Sequence, residues 1–257
     1  MIYNLEAAKE KLSREVLERR KPGLWKYSEI LPLRDTERRV SLGEGGTYLH
    51  HCMRLADELG MKSLSLKDET NNPTGAFLDR GTSVEVSIAR EMGATGLSCG
   101  STGNLAASLL AYTARAGIQT KVFFAHNESV DVGKFYQILA YGPELEIVND
   151  REDAERRAES MASGWYPVLP VNPGFLEGVR TTAFEVCEQF EWNLPHWLIV
   201  PMGSGGHLSR IWKALSEFRE MGLIDDPLPR LVGVQTRSCS PIVQSFVTGS
   251  VQVDPCG

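Results

Sequence analysis

Three short stretches of this chain carry groups whose types and spacing suit chemistry. Pro201-Met202-Gly203-Ser204-Gly205-Gly206-His207 follows an apolar run and opens a helical pattern. Successive glycines there turn backbone N–H groups inward, a cradle for a phosphate that needs no charged side chain. Gly-x-Gly-x-x-Gly is absent and no second half follows, which argues against a dinucleotide site. His207 either bonds such a phosphate or caps the helix. Ser101-Thr102-Gly103-Asn104 falls at a strand-to-helix junction, where N–H groups and the helix dipole favour an anion. Gly103 lets a ligand approach the backbone, and Asn104 offers a neutral amide; the same tetrapeptide also reads as an ordinary Ser/Thr N-cap. The third stretch, Asn71-Asn72-Pro73-Thr74-Gly75-Ala76-Phe77-Leu78-Asp79-Arg80-Gly81, is a loop that turns into a helix. Pro73 and Gly75 punctuate it, Thr74 is placed to cap the helix, and apolar periodicity resumes at Phe77. Nearby, Lys67-Asp68-Glu69 reads as an ion-paired strand end, and Lys134 as a residue on a solvated helix face.

Regular elements must hold these stretches in place. Asn4 reads as the N-cap of an amphipathic helix over 4–20, with Leu5, Ala8, Leu12, Val16 and Leu17 at helical spacing. A helix over 53–59 and a short strand over 63–66 lead to a helix over 76–92. Strands over 95–99, 121–125, 144–148, 166–169, 197–201 and 230–235 then alternate with helices, the latter including 132–141, 151–160, 177–189, 206–221 and 240–248. That alternation implies βαβ units, a parallel sheet and right-handed crossovers.

Composition narrows the setting. Of 257 residues, 42% are apolar and 23% charged, the balance of a soluble globular protein. No apolar run approaches the ~20 residues of a membrane span, and the charged N-terminus lacks a signal-peptide pattern. A net charge of −6 argues against nucleic acid as the main partner. Cys52, Cys99, Cys187, Cys239 and Cys256 are scattered without CxxC spacing, and they read as free thiols in a reducing cytoplasm rather than a disulfide framework or zinc site. His50, His51, His126 and His196 show no ligand spacing, so no metal is expected.

Taken in order, Leu66-Lys67-Asp68-Glu69 with Asn71–Gly81, then Ser101–Asn104, then Gly203–His207 resemble the motifs of threonine synthases. These are pyridoxal-phosphate enzymes of fold type II, the tryptophan-synthase-β-like fold. The resemblance implies a mostly parallel α/β architecture of two domains with the cofactor cleft between them: a larger domain over 1–90 and 166–257, and a smaller one over 91–165 inserted in it. It implies that Leu78, Asn104 and Gly203–His207 converge on that cleft. Asn104 would bond the 3′-oxygen of the pyridine ring, and Ser101 and Thr102 the substrate carboxylate. Gly203, Ser204, Gly205, Gly206 and His207 would hold the cofactor phosphate. Arg180, otherwise a surface residue, would meet a substrate phosphate. The implied reaction converts O-phosphohomoserine and water to threonine and phosphate.

The sequence departs from that pattern at the decisive position. The family's residue before Asp-Arg-Gly is the lysine that holds the cofactor as a Schiff base; here it is Leu78. Milder departures are Thr47-Tyr48-Leu49 where the family has Thr-Pro-Leu, and Ser204 and His207 where it usually has Asn. Leucine has no donor, acceptor or titratable group, so the cofactor is expected to bind noncovalently and the reaction to be impaired or lost. The alternatives are a non-catalytic module that binds pyridoxal phosphate or an amino acid, and the truncated product of a disrupted gene. The resemblance covers only part of the family's chain, whose further C-terminal stretch completes the larger domain. An unfinished parallel sheet exposes strand edges, so a homo-oligomer, or a partner completing the C-terminal part, is expected.

Overall fold

A computed structural model describes residues 3–126, 132–225 and 227–254. The chain divides into two compact units, one over Arg19–Val179 and one formed by Ile2–Glu18 with Arg180–Gly257.

The chain begins with two short helices, α1 (Leu5–Lys9) and α2 (Arg14–Arg19), where the apolar spacing predicts a single longer one. Asn4 does cap the first, its side chain accepting from the Ala7 N–H at 3.1 Å. An antiparallel pair follows, β1 (Tyr48–His51) and β2 (Ser65–Asp68), with α3 (Met53–Glu58) between them. Then comes α4 (Leu78–Glu91), the helix fed by the loop that begins at Asn71. Buried residues lie all round it, from Asp79 to Ser87, as befits a helix enclosed by its neighbours.

Next the strands and helices alternate: β3 (Gly96–Gly100), α5 (Asn104–Ala116), β4 (Gln119–Ala125), α6 (Val132–Ala140), β5 (Glu144–Val148), α7 (Arg151–Glu159) and β6 (Trp165–Pro167). The four strands form one parallel sheet in the order β5-β4-β3-β6. One of its two inner strands, β3, is Gly-Leu-Ser-Cys-Gly, nearly all buried, the pattern of a parallel strand covered on both faces. Gly117 ends α5 in the left-handed region at φ +69°, where a side chain would be strained. The main core of this unit gathers Val86, Leu97, Leu109, Tyr112, Val122, Ile138 and Phe175 around that sheet.

After β6, α8 (Pro173–Val179) packs on α4 at glycines. A Cβ on Gly178 would overlap the Arg80 carbonyl oxygen, and one on Gly81 would lie 2.6 Å from the Phe175 ring. The second unit continues with α9 (Thr181–Gln189), β7 (Trp197–Pro201), α10 (Gly206–Glu220), β8 (Arg230–Val234) and α11 (Pro241–Thr248). The helix read over 177–189 is therefore two helices, broken at Arg180. β7 and β8 pair in parallel, and Phe184 stacks on Phe218 at 4.2 Å in the core of α9 and α10.

Among the described residues no helix is long and apolar enough to cross a membrane, and no group of three or more His, Cys, Asp or Glu could hold a metal ion. The reading of five free thiols needs one correction: Cys239 is disulfide-bonded. Cys52, Cys99 and Cys187 are free, and Cys256 lies outside the described residues.

Candidate functional site

Leu78 and Ser101–Asn104 come together in the first unit. They line one cavity of about 290 Å³ with Gly100, Leu105, Ala125, Arg151, Ala154, Glu155, Leu169 and Pro170. The end of β3 aims the tetrapeptide, and Asn104 is the first residue of α5, so the orphan N–H groups of that helix open at the cavity. The N-cap is Gly103, and no side chain caps it, so Ser101 and Thr102 are not used as an ordinary cap. The opposite wall is α7, seated tightly on the end of β3. A Cβ on Gly100 would come within 2.5 Å of the Ala154 carbonyl carbon and the Glu155 nitrogen.

The loop before Leu78 is held from inside. Thr74 does not cap α4; the bonds run the other way. Asp79, buried, accepts from the Thr74 N–H at 2.7 Å and from the Thr74 hydroxyl at 2.7 Å, and Ser108 donates to it at 2.6 Å. Lys134 corrects the expectation of a solvated residue: its Nζ donates to the Thr74 carbonyl at 2.8 Å and to Gln137 at 3.1 Å. Deeper in, Glu44 accepts from Ser83 at 2.6 Å, Tyr112 at 2.8 Å and Trp25 at 3.0 Å. Arg80, with its side chain fully buried, pairs with Glu69 at 2.7 Å. Sequence reading missed the Glu44–Ser83–Tyr112 and Asp79–Ser108 bonds. Their partners sit 29 to 68 residues apart with no short-range signature.

Burial dominates the electrostatics. It pushes the Cys99 thiol up to about 12, which leaves a buried sulfur next to the loop without thiolate character. Desolvation raises Asp79 against the lowering effect of its hydrogen bonds from Ser108 and Thr74. A carboxyl whose folded value is raised binds its proton more tightly folded than unfolded. Its contribution is therefore most favourable at low pH and is lost as pH rises from the ordinary carboxylate range through the folded value. Asp79→Asn does not titrate. Urea unfolding across a pH series should show the parent losing stability relative to this variant as pH rises through that window. A constant difference at all pH values would mean that Asp79 titrates normally.

The other expected site residues belong to the second unit. Gly203–His207 form the turn between β7 and α10, and Gly205 is the N-cap at φ +82°, a conformation that favours glycine. Gln235 donates to the Gly203 carbonyl at 2.9 Å and fixes the turn. Space is open where a Cβ on Gly203 would lie. His207 does not cap the helix with its ring, which lies 3.3 Å from the Thr182 hydroxyl. Arg180 is fully buried, ion-paired with Glu217, and flanked by the Tyr3 and Phe184 rings.

A profile of the pyridoxal-phosphate dependent enzymes matches residues 40–255. The chain belongs to that family. Within it, the curated relatives it matches include threonine synthases. It is similar to that of Methanocaldococcus jannaschii, 42% identical over 249 residues, covering 96% of this chain and 61% of the relative. The corresponding figures for Methanosarcina acetivorans are 37% over 259 residues, 99% and 62%. The chain thus spans about three fifths of the length of these relatives. Among solved structures, it is similar in fold to diaminopropionate ammonia lyase from Escherichia coli in complex with D-serine, with a TM-score of 0.70, 18% identity, and 84% of this chain and 63% of that one covered. For maize serine racemase the TM-score is 0.68 at 21% identity, with 81% and 63% covered. The fold is the type II pyridoxal-phosphate architecture, mixed α/β with a parallel sheet.

The residues present fit part of such a cofactor. The left-handed Gly205 cap and the open space at Gly203 leave main-chain donors accessible to a phosphate. A neutral amide stands at Asn104. Leu78, on the cavity wall, offers no amine.

Proposed function

We propose that this chain is a threonine synthase-like protein that binds pyridoxal phosphate noncovalently and whose reaction on O-phosphohomoserine is impaired. The observation that carries this reading is the cavity where Leu78 faces the Ser101–Asn104 loop. When bound, the cofactor supplies an electron sink for proton removal from an amino-acid carbon. That chemistry needs an amine to hold the cofactor and to move protons. Leu78 does neither; it fills volume and excludes water. Asn104 is assigned to the ring oxygen, and Ser101 with Thr102 to the carboxylate of a phosphorylated amino acid. Gly203, Ser204, Gly205, Gly206 and His207 are assigned to the cofactor phosphate, each on the geometry of its own unit. The part first given to Arg180 is not carried over, since its guanidinium is engaged by Glu217.

Residues 91–165 are read as the smaller domain, supported by the parallel sheet whose strands run from Gly96 to Pro167. A cytoplasmic setting is read from the thiols of Cys52, Cys99 and Cys187, which are free. A homo-oligomer, or a partner covering this face, is supported by Trp197, Ile199 and Val234, exposed on a parallel strand pair; such pairs are ordinarily covered on both faces.

Equilibrium dialysis with pyridoxal phosphate tests the reading. One equivalent should bind saturably, leave on dialysis and resist borohydride fixation at position 78. Asn104→Ala should weaken binding roughly tenfold, the worth of one hydrogen bond left unmade. Sedimentation of the same sample should show concentration-dependent association. Unsaturable binding, or threonine formation at a rate typical of enzymes, roughly 1–10³ per second, would sink it.

A further inference from the structure

We propose that Arg151 is the cation that selects the ligand of the cavity, by taking an oxyanion on the side chain of a small amino acid. This deepens the reading above and rests on the cavity being a ligand site. Of the residues lining the cavity, Arg151 and Glu155 carry charge; the rest are apolar, glycine, hydroxyl or amide. A ligand seated between Leu78 and the Ser101–Asn104 loop therefore meets its full charges on α7.

Arg151 stands where the helix dipole does not favour a cation. It is the first residue of α7, beside the N-cap Asp150. A cation there opposes the helix dipole, which favours Glu152 and Asp153 at that end. Two other arginines of the helix serve the fold: Arg156 and Arg157 pair with Asp153, and Arg157 also with Glu146. Arg151 instead pairs with Glu155 one turn on, Nε to Oε1 at 2.8 Å, with side chains 72% and 42% exposed. An exposed pair at that spacing is weak and screened by water. An oxyanion entering the cavity can thus exchange with Glu155 and take the fork of donors that arginine presents. The close approach of Gly100 to the Ala154–Glu155 backbone fixes this turn of α7 beside the loop.

Calorimetric titration of O-phospho-L-homoserine, L-glutamate and L-homoserine tests the proposal. The samples are the parent, Arg151→Gln, Arg151→Lys, Glu155→Gln and Ser101→Ala, each checked for parental circular dichroism. The parent should prefer the anionic ligands. Arg151→Gln should weaken them roughly 10- to 100-fold, the range of a lost charge-assisted pair, and leave L-homoserine within about twofold. Arg151→Lys should recover part of the loss. Glu155→Gln should hold or improve anion affinity, since a competitor has gone. Added salt should weaken the parent more than Arg151→Gln. The glutamate titration tells whether a carboxylate serves as well as a phosphate ester. Equal weakening of charged and neutral ligands by Arg151→Gln, or no weakening, overturns the proposal. If Ser101→Ala weakens all three while Arg151→Gln weakens none, the cavity reading stands and this assignment falls. If the parent binds none of them, both fall.

Discussion

Leu78→Lys should create a borohydride-reducible covalent link between the chain and pyridoxal phosphate where the parent forms none at that position. The chemistry is a condensation: the lysine nitrogen bonds to the aldehyde carbon and water leaves. The substitution is sterically mild. Leu78 lies on the cavity wall with its stem packed against the main core, so the lysine methylenes follow a path that leucine already occupies. The partly apolar surroundings disfavour the ammonium, lower the lysine pKa and raise the share of reactive neutral amine. Peptide mapping after reduction reads the result as presence or absence of a pyridoxyl group on residue 78. General acid–base help from such an amine is worth ~10²–10⁴-fold, so phosphate release from O-phosphohomoserine is a second and more demanding readout. The two are kept apart because the link tests the site and turnover tests the whole machine. A folded Leu78→Lys chain that gives no adduct in excess pyridoxal phosphate would show that this cavity is not a cofactor site.

Gly178→Ala should be the most damaging single methyl in the first unit. Its Cβ would overlap the Arg80 carbonyl oxygen and lie 2.9 Å from the Gly81 Cα, and both are backbone that cannot rotate away. α8 would have to lift from α4, and with it the buried Arg80–Glu69 pair would be disturbed. Overpacking of this kind lowers stability by ~1–3 kcal/mol and more where backbone must shift. The upper end is expected here, a fall in thermal midpoint of about 6–12 °C for a chain of this size. Thermal and urea unfolding followed by circular dichroism measures it. A variant within experimental error of the parent would mean that α8 does not rest on α4 at this point.

Much of the architecture can be read from the chain because its signals are local. The period-switching run from Gly96 to Pro167 announces alternating strands and helices, and all four sheet strands fall within a residue or two of where their apolar runs lie. Leu78, Ser101, Thr102 and Asn104 are legible for the same reason, as short motifs at strand-to-helix turns, and one cavity gathers them. What escapes is set by distance or by brevity. β1 is four residues with no alternation, and its partner is 14 or more residues on. The helix over 4–20 breaks between Lys9 and Arg14, where the buried Leu12 lies in the connection of two short helices. Lys134 reads as solvated from its own helix, whereas its bond is to Thr74, 60 residues earlier. Arg151 gives no sign at all within a helix as charged as Arg-Glu-Asp-Ala-Glu-Arg-Arg-Ala-Glu.

The seat of α7 on Gly100 fixes the gauge of the cavity. Backbone touches backbone there, so the width between α7 and the Ser101–Asn104 loop does not depend on which side chains α7 carries. Changes at 151 or 155 would then alter the polarity a ligand must have while leaving its permitted size untouched. At about 290 Å³ that size is near the lower end of small-molecule sites. A library randomised at those two positions should therefore yield binders for acidic, neutral and basic amino acids of one common length. Longer ligands would enter only after Gly100 itself is displaced.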